Sequence, residues 1–406
     1  MSNPKHITDN ENLNDYGTRI NRWFLISLGA WPQTSTSNRI KKLAVSMQIL
    51  IFSTALAIIL IPCMLYMGFE KKDFKTKLKD LIPLVNRMLG TVIYWILITR
   101  NKDIERCIRH METDWKLVRI DNRKVMLQYA KSGRFMTVLC ATFLHGSTFI
   151  FNVVKAMETT TVIIGNKTIT IHPMTCPMYS RILDVRFSPA NEIMLGVQYL
   201  STFIMISSIA TVCSLIAVFA MHACGQLNVM HTWLNELTEK KNNHLADQRL
   251  AAIVKHHWRV ISFVQQIESI MNKACLAELM GSTINMCLMG YFVIMQFIFQ
   301  NWSAFDRAKI LSHFTAYMTA CIVIFIYCYI GEILTEECEK IGDITYMTNW
   351  YQLPHKTALG LILIIMQSSH IIKITAGKIV LLSISTFGDV IKTSTAYLNF
   401  LRTMTT

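Results

Sequence analysis

The pattern of apolar and polar positions divides this chain into long greasy runs joined by wet loops. Seven runs approach the roughly 20 helical residues needed to cross a bilayer core. They cover about Leu43 to Gly68, Leu81 to Ile98, Phe135 to Val154, Ile193 to Met221, Cys275 to Phe299, Phe314 to Leu334, and a last one from Ile379 to Leu401. A shorter run, Leu359 to Met366, cannot cross and is expected as a helix packed outside the membrane or dipping into its surface. The last run is two-sided. At helical spacing Ser385, Asp389, Lys392, Thr393, Ala396, Asn399, Phe400 and Thr403 share one stripe, while Val380, Ile384, Phe387, Ile391, Leu398 and Leu401 cover most of the remainder. One side of that helix wants apolar neighbours and the other can face water.

The fourth run continues as a helix past Met221. The segment Leu245 to Lys273 then keeps Leu250, Ile253, Val254, Trp258, Ile261, Val264, Ile267 and Ile270 on a helical stripe. A stripe of that kind in water must be covered, so the fourth, fifth and sixth helices are expected to project into the cytoplasm and pack with the Leu359 helix. A calmodulin-type target helix is the competing reading of Leu245 to Lys273.

Composition supports a polytopic membrane protein: 52% of the 406 residues are hydrophobic and 16% charged. No short cleavable signal opens the chain, since Met1 to Asn21 is polar. The net charge of +14 is carried by loops between apolar runs, with no basic helix interleaved with aromatics, which argues against nucleic acid as a partner. Loop charges also orient the chain. With the N-terminus inside, the cytoplasmic segments collect about twice the Lys and Arg of the outer ones, the densest block being Arg100 to Arg134. The two Asn-x-Ser/Thr acceptors, Asn166 and Asn301, then both fall outside, Asn166 in the longer loop and so the better glycosylation site.

Candidate chemistry is sparse. His256, His257 and Glu268 lack the spacing of a metal site, no glycine-rich phosphate loop occurs, and no residue set supports an enzyme or a cofactor. Eleven scattered cysteines give no disulfide framework. Glu332, Glu336, Glu337 and Glu339 form an acidic patch at the inner end of the sixth span, either a solvated helix end or a lining for a cation path. Arg87 interrupts the second span, snorkelling to the interface or paired inside the bundle. Aromatic and small residues gather in the outer halves of four spans: Tyr94 and Trp95; His145, Gly146 and Phe149; Tyr199 and Phe203; Tyr317 and Cys321. Taken singly, each is explained by bundle packing.

The ordered set Tyr346, Trp350-Tyr351, Leu359, Met366, Ser369, Thr375-Ala376-Gly377-Lys378, Ser383, Phe387, Ile391-Lys392-Thr393-Ser394, Tyr397 and Leu401 resembles the C-terminal signature of insect odorant receptors, with Ile371 standing where proline is expected. The resemblance implies an all-α, polytopic membrane protein. It would have seven transmembrane helices, a cytoplasmic N-terminus, and an interrupted seventh helix with a cytoplasmic half and a pore-lining half. This divides the chain into a cytoplasmic segment 1–42, helices one to six over 43–334 with cytoplasmic extensions at 222–274, an anchor segment 335–374, and a pore helix with a short tail over 375–406. The nine aromatic and small residues named above would line an odorant pocket. Asp389, Lys392, Asn399, Phe400, Thr403 and Met404 would line the pore, with Phe400 matching an apolar gate position. Trp350, Tyr351, Leu361 and Ile365 would meet neighbouring subunits. The implied function is an odorant-tuned subunit of a ligand-gated, non-selective cation channel in the plasma membrane of olfactory sensory neurons. Its partners would be the odorant receptor co-receptor in a heterotetramer, a small volatile ligand, membrane lipid and permeating cations. The loop before the fifth span lacks the co-receptor's long insertion. A seven-helix receptor coupled to a G protein is the alternative from another class, though the Asp-Arg-Tyr and Asn-Pro-x-x-Tyr motifs are missing. A gustatory receptor of the same superfamily is the nearer one.

Overall fold

A computed structural model describes residues 10–32, 39–70, 73–164, 167–179, 185, 189–239, 245–299, 304–369 and 373–405. The apolar runs are helices: α1 (Asn10–Ser27), α2 (Arg39–Phe69), α3 (Phe74–Thr99), α4 (Asn101–Leu117), α5 (Arg123–Ala156), α6 (Ala190–Glu239), α7 (Ala246–Phe299), α8 (Ala304–Met347), α9 (His355–Ser369) and α10 (Ile384–Thr405). Two antiparallel hairpins interrupt them, β1 (Thr160–Ile164) with β2 (Lys167–Ile171), and β3 (Thr375–Ala376) with β4 (Val380–Leu381). Among the described residues six helices are long and apolar enough to cross a membrane, namely α2, α3, α5, α6, α7 and α8. The chain is a polytopic, all-α membrane protein.

Helix α6 is the axis of the bundle. Its middle is buried on every side, from Ile204 through Val229, because α1, α2, α3, α5, α7 and α8 all pack on it. That all-round burial explains a segment that is apolar around its whole circumference. At 50, 54 and 44 residues, α6, α7 and α8 are far longer than a bilayer requires. A rise of 1.5 Å per residue makes even α8 about 65 Å long, against about 30 Å of hydrocarbon. The surplus forms a second layer of packed helices. There the stripe expected on Leu245 to Lys273 buries Leu250, Ile253, Val264, Ile267 and Ile270 while Trp258 stays exposed, and α9 packs on both α7 and α8.

Two features differ from the sequence-based expectation. The N-terminal segment is more than a polar tail: α1 seats Leu25 and Leu28 in the main core, packs against α4, α5 and α6, and donates from Asn21 Nδ2 to the Ser214 carbonyl at 3.2 Å. Second, the last apolar run does not begin as a helix at Ile379. Residues 375–381 form the β3–β4 hairpin, whose turn places Gly377 and Lys378 at φ of 63° and 61°. Gly377 is required there by conformation and by space, since a Cβ would sit 2.5 Å from the Leu276 side chain.

That hairpin anchors α10 to the bundle. Gly377 donates its N–H to the Asn272 carbonyl at 2.8 Å, and Thr375 Oγ1 donates to Glu268 Oε1 at 2.7 Å. Gly331 of α8 lets the backbone of Leu382 approach, because a Cβ there would lie 2.3 Å from the Leu382 carbonyl oxygen. Glu332 of the acidic patch accepts the N–H of Ile384 at 3.1 Å, satisfying one of the free donors at the start of α10. Glu337 instead pairs with Lys340 at 2.9 Å.

All eleven cysteines are free thiols, and nine are buried. Cys176, placed by its sequence position in an outer loop, packs with Cys63 of α2 in a small apolar cluster.

Candidate functional site: a cavity among α3, α5, α6, α7 and α8

The five helices enclose a cavity of about 380 Å³. Along α8 its lining runs from Lys309 to Val323, a rise of roughly 20 Å. One end is charged, and the other is lined mostly by apolar side chains, with the buried acid Glu278 of α7 beside them. At the charged end Glu158, just past α5, joins Lys155 at 2.6 Å and Lys309 of α8 at 3.2 Å, tying two helices together. Burial pushes the Glu158 carboxyl up, but the hydrogen bonds and charges of the two lysines outweigh it and hold the carboxyl below its ordinary range. Leu89, Ile209 and Val323 line the other end.

The walls between are mixed. Arg87 is inside the bundle, 3% exposed, and resolves the two readings of its sequence position in favour of the interior. It donates to Ser201 Oγ at 2.6 Å, Thr202 Oγ1 at 2.6 Å and the Gln198 carbonyl at 3.3 Å, all on α6. A buried guanidinium with several acceptors fixes the approach of α3 to α6. Facing the cavity from α7 are Glu278, Ser282 and Asn285, at the i, i+4, i+7 spacing of one helix face. Ser282 Oγ donates to Glu278 Oε1 at 2.9 Å, and Asn285 Nδ2 donates to Asn86 Oδ1 at 2.7 Å.

The nine positions named from the sequence lie on four of the five cavity helices, but none is among the residues lining this cavity. Tyr94 is fully buried against Phe52 and Trp95, with ring centroids 6.5 and 6.4 Å apart. His145 lies between Phe24 of α1 and Phe203 of α6, at 6.2 and 6.0 Å. Trp95, Gly146, Phe149, Tyr199 and Phe203 point outward from the single chain, and Tyr317 and Cys321 are half-buried beside the core. The α7 wall has no counterpart among the nine. Its signal was nevertheless present, since Glu278 is an acid inside an apolar span, where a charge is costly enough to mark function.

On α10 the predicted stripe is exposed along the helix: Ser385, Asp389, Lys392, Thr393, Ala396, Asn399 and Thr403 all face out, as does Phe400 at 59%. Asp389 and Lys392 are 3.8 Å apart on that surface. The opposite face buries Val390 and Ser394 against α7, and Phe387 meets Phe325 of α8 edge-on. Met404 falls at the end of the helix, where side chains lie outside the described residues, as do Asn166 and Asn301. On α9 Leu361 is buried within the chain, so it serves the internal core and not a surface, and Ile365 is half-buried. Leu359, Ile362, Leu363 and Met366 are exposed, together with Trp350 and Tyr351 just before α9. Among the described residues no group of His, Cys, Asp and Glu gathers at metal-binding spacing.

A bundle of membrane-length helices around a cavity, with a last helix that is polar on its exposed side, defines a polytopic all-α membrane fold. The sequence pattern of the family described as 7tm Odorant receptor matches residues 73–395, and the chain belongs to that family. Among its relatives are odorant receptor 13a of Drosophila melanogaster, 25% identical over 51% of this chain, and odorant receptor 82a of the same fly, 23% identical over 53%. The chain spans about half the length of these relatives, 54% in each case. The fold is also that of the insect olfactory receptor OR5 from Machilis hrabei. Its structure in complex with eugenol superposes with a TM-score of 0.77 over 98% of this chain and 100% of that one, at 13% identity; a second structure of OR5 gives 0.73 over 97% and 99%, at 15% identity.

Proposed function

We propose that this chain is an odorant-tuned subunit of a ligand-gated, non-selective cation channel, assembled as a heterotetramer with the odorant receptor co-receptor in the plasma membrane of olfactory sensory neurons. It crosses the membrane seven times with a cytoplasmic N-terminus, α10 being the seventh crossing. A small volatile molecule enters the cavity among α3, α5, α6, α7 and α8. Occupancy moves the helices that carry α10, and Asp389, Lys392, Asn399, Phe400 and Thr403 line the pore that opens. Residues 335–374 form the cytoplasmic anchor between subunits.

The observation that carries this reading is the cavity. Its volume lies within the range of small-molecule sites, and its walls are the membrane-length helices themselves. The exposed stripe on α10 adds to it, because polar groups facing away from the subunit need water or partner subunits to satisfy them. The test fills the chamber. Ala320 lines it from α8, and Ala320→Phe is expected to raise the half-maximal odorant concentration tenfold or more while a co-receptor agonist still opens the channel. Odorant dose-response curves that coincide with wild type at equal surface expression would place ligand binding elsewhere.

A further inference from the structure

We infer that the cavity is built for a small, mainly apolar molecule that brings a hydrogen-bond donor, an amine or a hydroxyl, to the α7 wall. This rests on the reading of the cavity as the ligand site and adds the chemistry of the ligand. Three polar side chains lining the chamber are more than nine-tenths buried and hold an oxygen with no hydrogen-bond partner: Glu278 Oε2, Asn285 Oδ1 and Ser312 Oγ. Glu278 is 4% exposed, and its other oxygen accepts from Ser282. Asn285 has its amide N–H₂ engaged by Asn86, leaving the carbonyl oxygen open. Asn285 Oδ1 is therefore an acceptor, Ser312 Oγ can accept as well, and Glu278 Oε2 accepts when the acid is ionised, the form that a bound cation favours. Of the cations lining the same chamber, Arg87 already donates to three oxygens of α6, and Lys155 and Lys309 pair with Glu158.

Buried oxygens left without a donor are destabilising, a charged one most of all. A ligand that supplies a donor recovers that cost and one that carries only acceptors does not, so the wall discriminates by ligand chemistry rather than by shape. An acid among apolar helices is stabilised most by a cation, which makes a protonated amine the counterpart of Glu278. A hydroxyl is the counterpart of Asn285. No covalent step is involved.

The experiment uses the chain co-expressed with the co-receptor and matched ligand sets on aliphatic and aromatic skeletons, each with amine, alcohol, ketone and methyl ether members, within a broad volatile panel. In wild type the strongest agonists are expected to carry a donor, with half-maximal concentrations at least tenfold below those of the ketone and ether of the same skeleton. Glu278→Gln is expected to weaken amines tenfold or more and alcohols less than threefold. Asn285→Ala is expected to weaken alcohols, and it keeps the inference testable if the Glu278 variant fails to reach the surface. Ketones or ethers as potent as their donor counterparts would overturn the inference while leaving the receptor reading intact. So would amine potency unchanged in Glu278→Gln. Silence to the whole panel, with normal currents from a co-receptor agonist, would overturn the receptor reading itself.

Discussion

Asp114 carries the densest polar cluster outside the membrane-length stretches. Its side chain is 7% exposed and meets Arg259 Nη2 at 2.6 Å, His222 Nε2 at 3.0 Å and His110 Nε2 at 3.6 Å, joining α4 to α6 and α7. Burial pushes its carboxyl up, but the hydrogen bond from His222 and the charges of His222, His110 and Arg259 outweigh that and hold it below the ordinary carboxylate range. The folded value thus lies below the unfolded one, so Asp114 contributes stability above the ordinary carboxylate range that is lost as pH falls through the depressed value. Asp114→Asn is expected to destabilise the solubilised protein by about 3 kcal/mol, the scale of breaking a buried ion pair. It should also flatten part of the fall in melting temperature as pH drops below about 4, the ordinary carboxylate value. A variant melting profile parallel to wild type at every pH would remove this cluster from the account. At this scale the sequence was only partly legible. It marked Arg87 as important but not its direction, because snorkelling and pairing leave the same mark in an apolar run. It placed aromatics on four helices that also line the cavity, but a face-by-face assignment needs the rotation of each helix, and that is set by neighbours such as α1 that local periodicity does not reveal.

At the scale of elements, the greasy runs, the extension of α6 and α7 beyond the bilayer and the shortness of α9 were all readable, since each follows from run length and helical period. The β3–β4 hairpin was hidden because Ile379 to Leu382 is as apolar as the helix that follows; only Gly377 hinted at a turn. Its left-handed backbone and the nearby Leu276 make it the joint on which α10 depends. Gly377→Val should cost about 1–3 kcal/mol of local strain and reduce odorant-evoked current at equal surface expression. Wild-type currents in that variant would mean that the joint tolerates rearrangement. The exposed face of α9 belongs to the same layer. An apolar strip of Leu359, Ile362, Leu363 and Met366 beside Trp350 and Tyr351 is the kind of patch that marks a protein contact. Leu363→Asp with Met366→Asp is expected to abolish co-purification with the co-receptor while leaving the monomer folded, which the buried Leu361 could not test. Normal recovery of the complex would argue that this strip faces something other than a partner subunit.

The whole molecule joins a chamber among the helices to a last helix with an exposed polar side through a layer of long helices. α7, like α8, connects the two directly. It lines the chamber with Glu278 and Asn285, holds the β3–β4 hairpin through Asn272 and Glu268, and packs along α10 through Thr283 and Ser394. Under the proposed function, a ligand that shifts α7 would act on α10 directly, with no separate messenger. That coupling is the central claim, and it is tested most directly by recording from excised membrane patches containing this chain and the co-receptor, bathed in solution free of nucleotides. The account predicts that an odorant opens a cation current there, and that Phe400→Ala raises basal current or changes ion permeability while Leu401→Ala does so less. An odorant response that vanishes on excision and returns with GTP would contradict it.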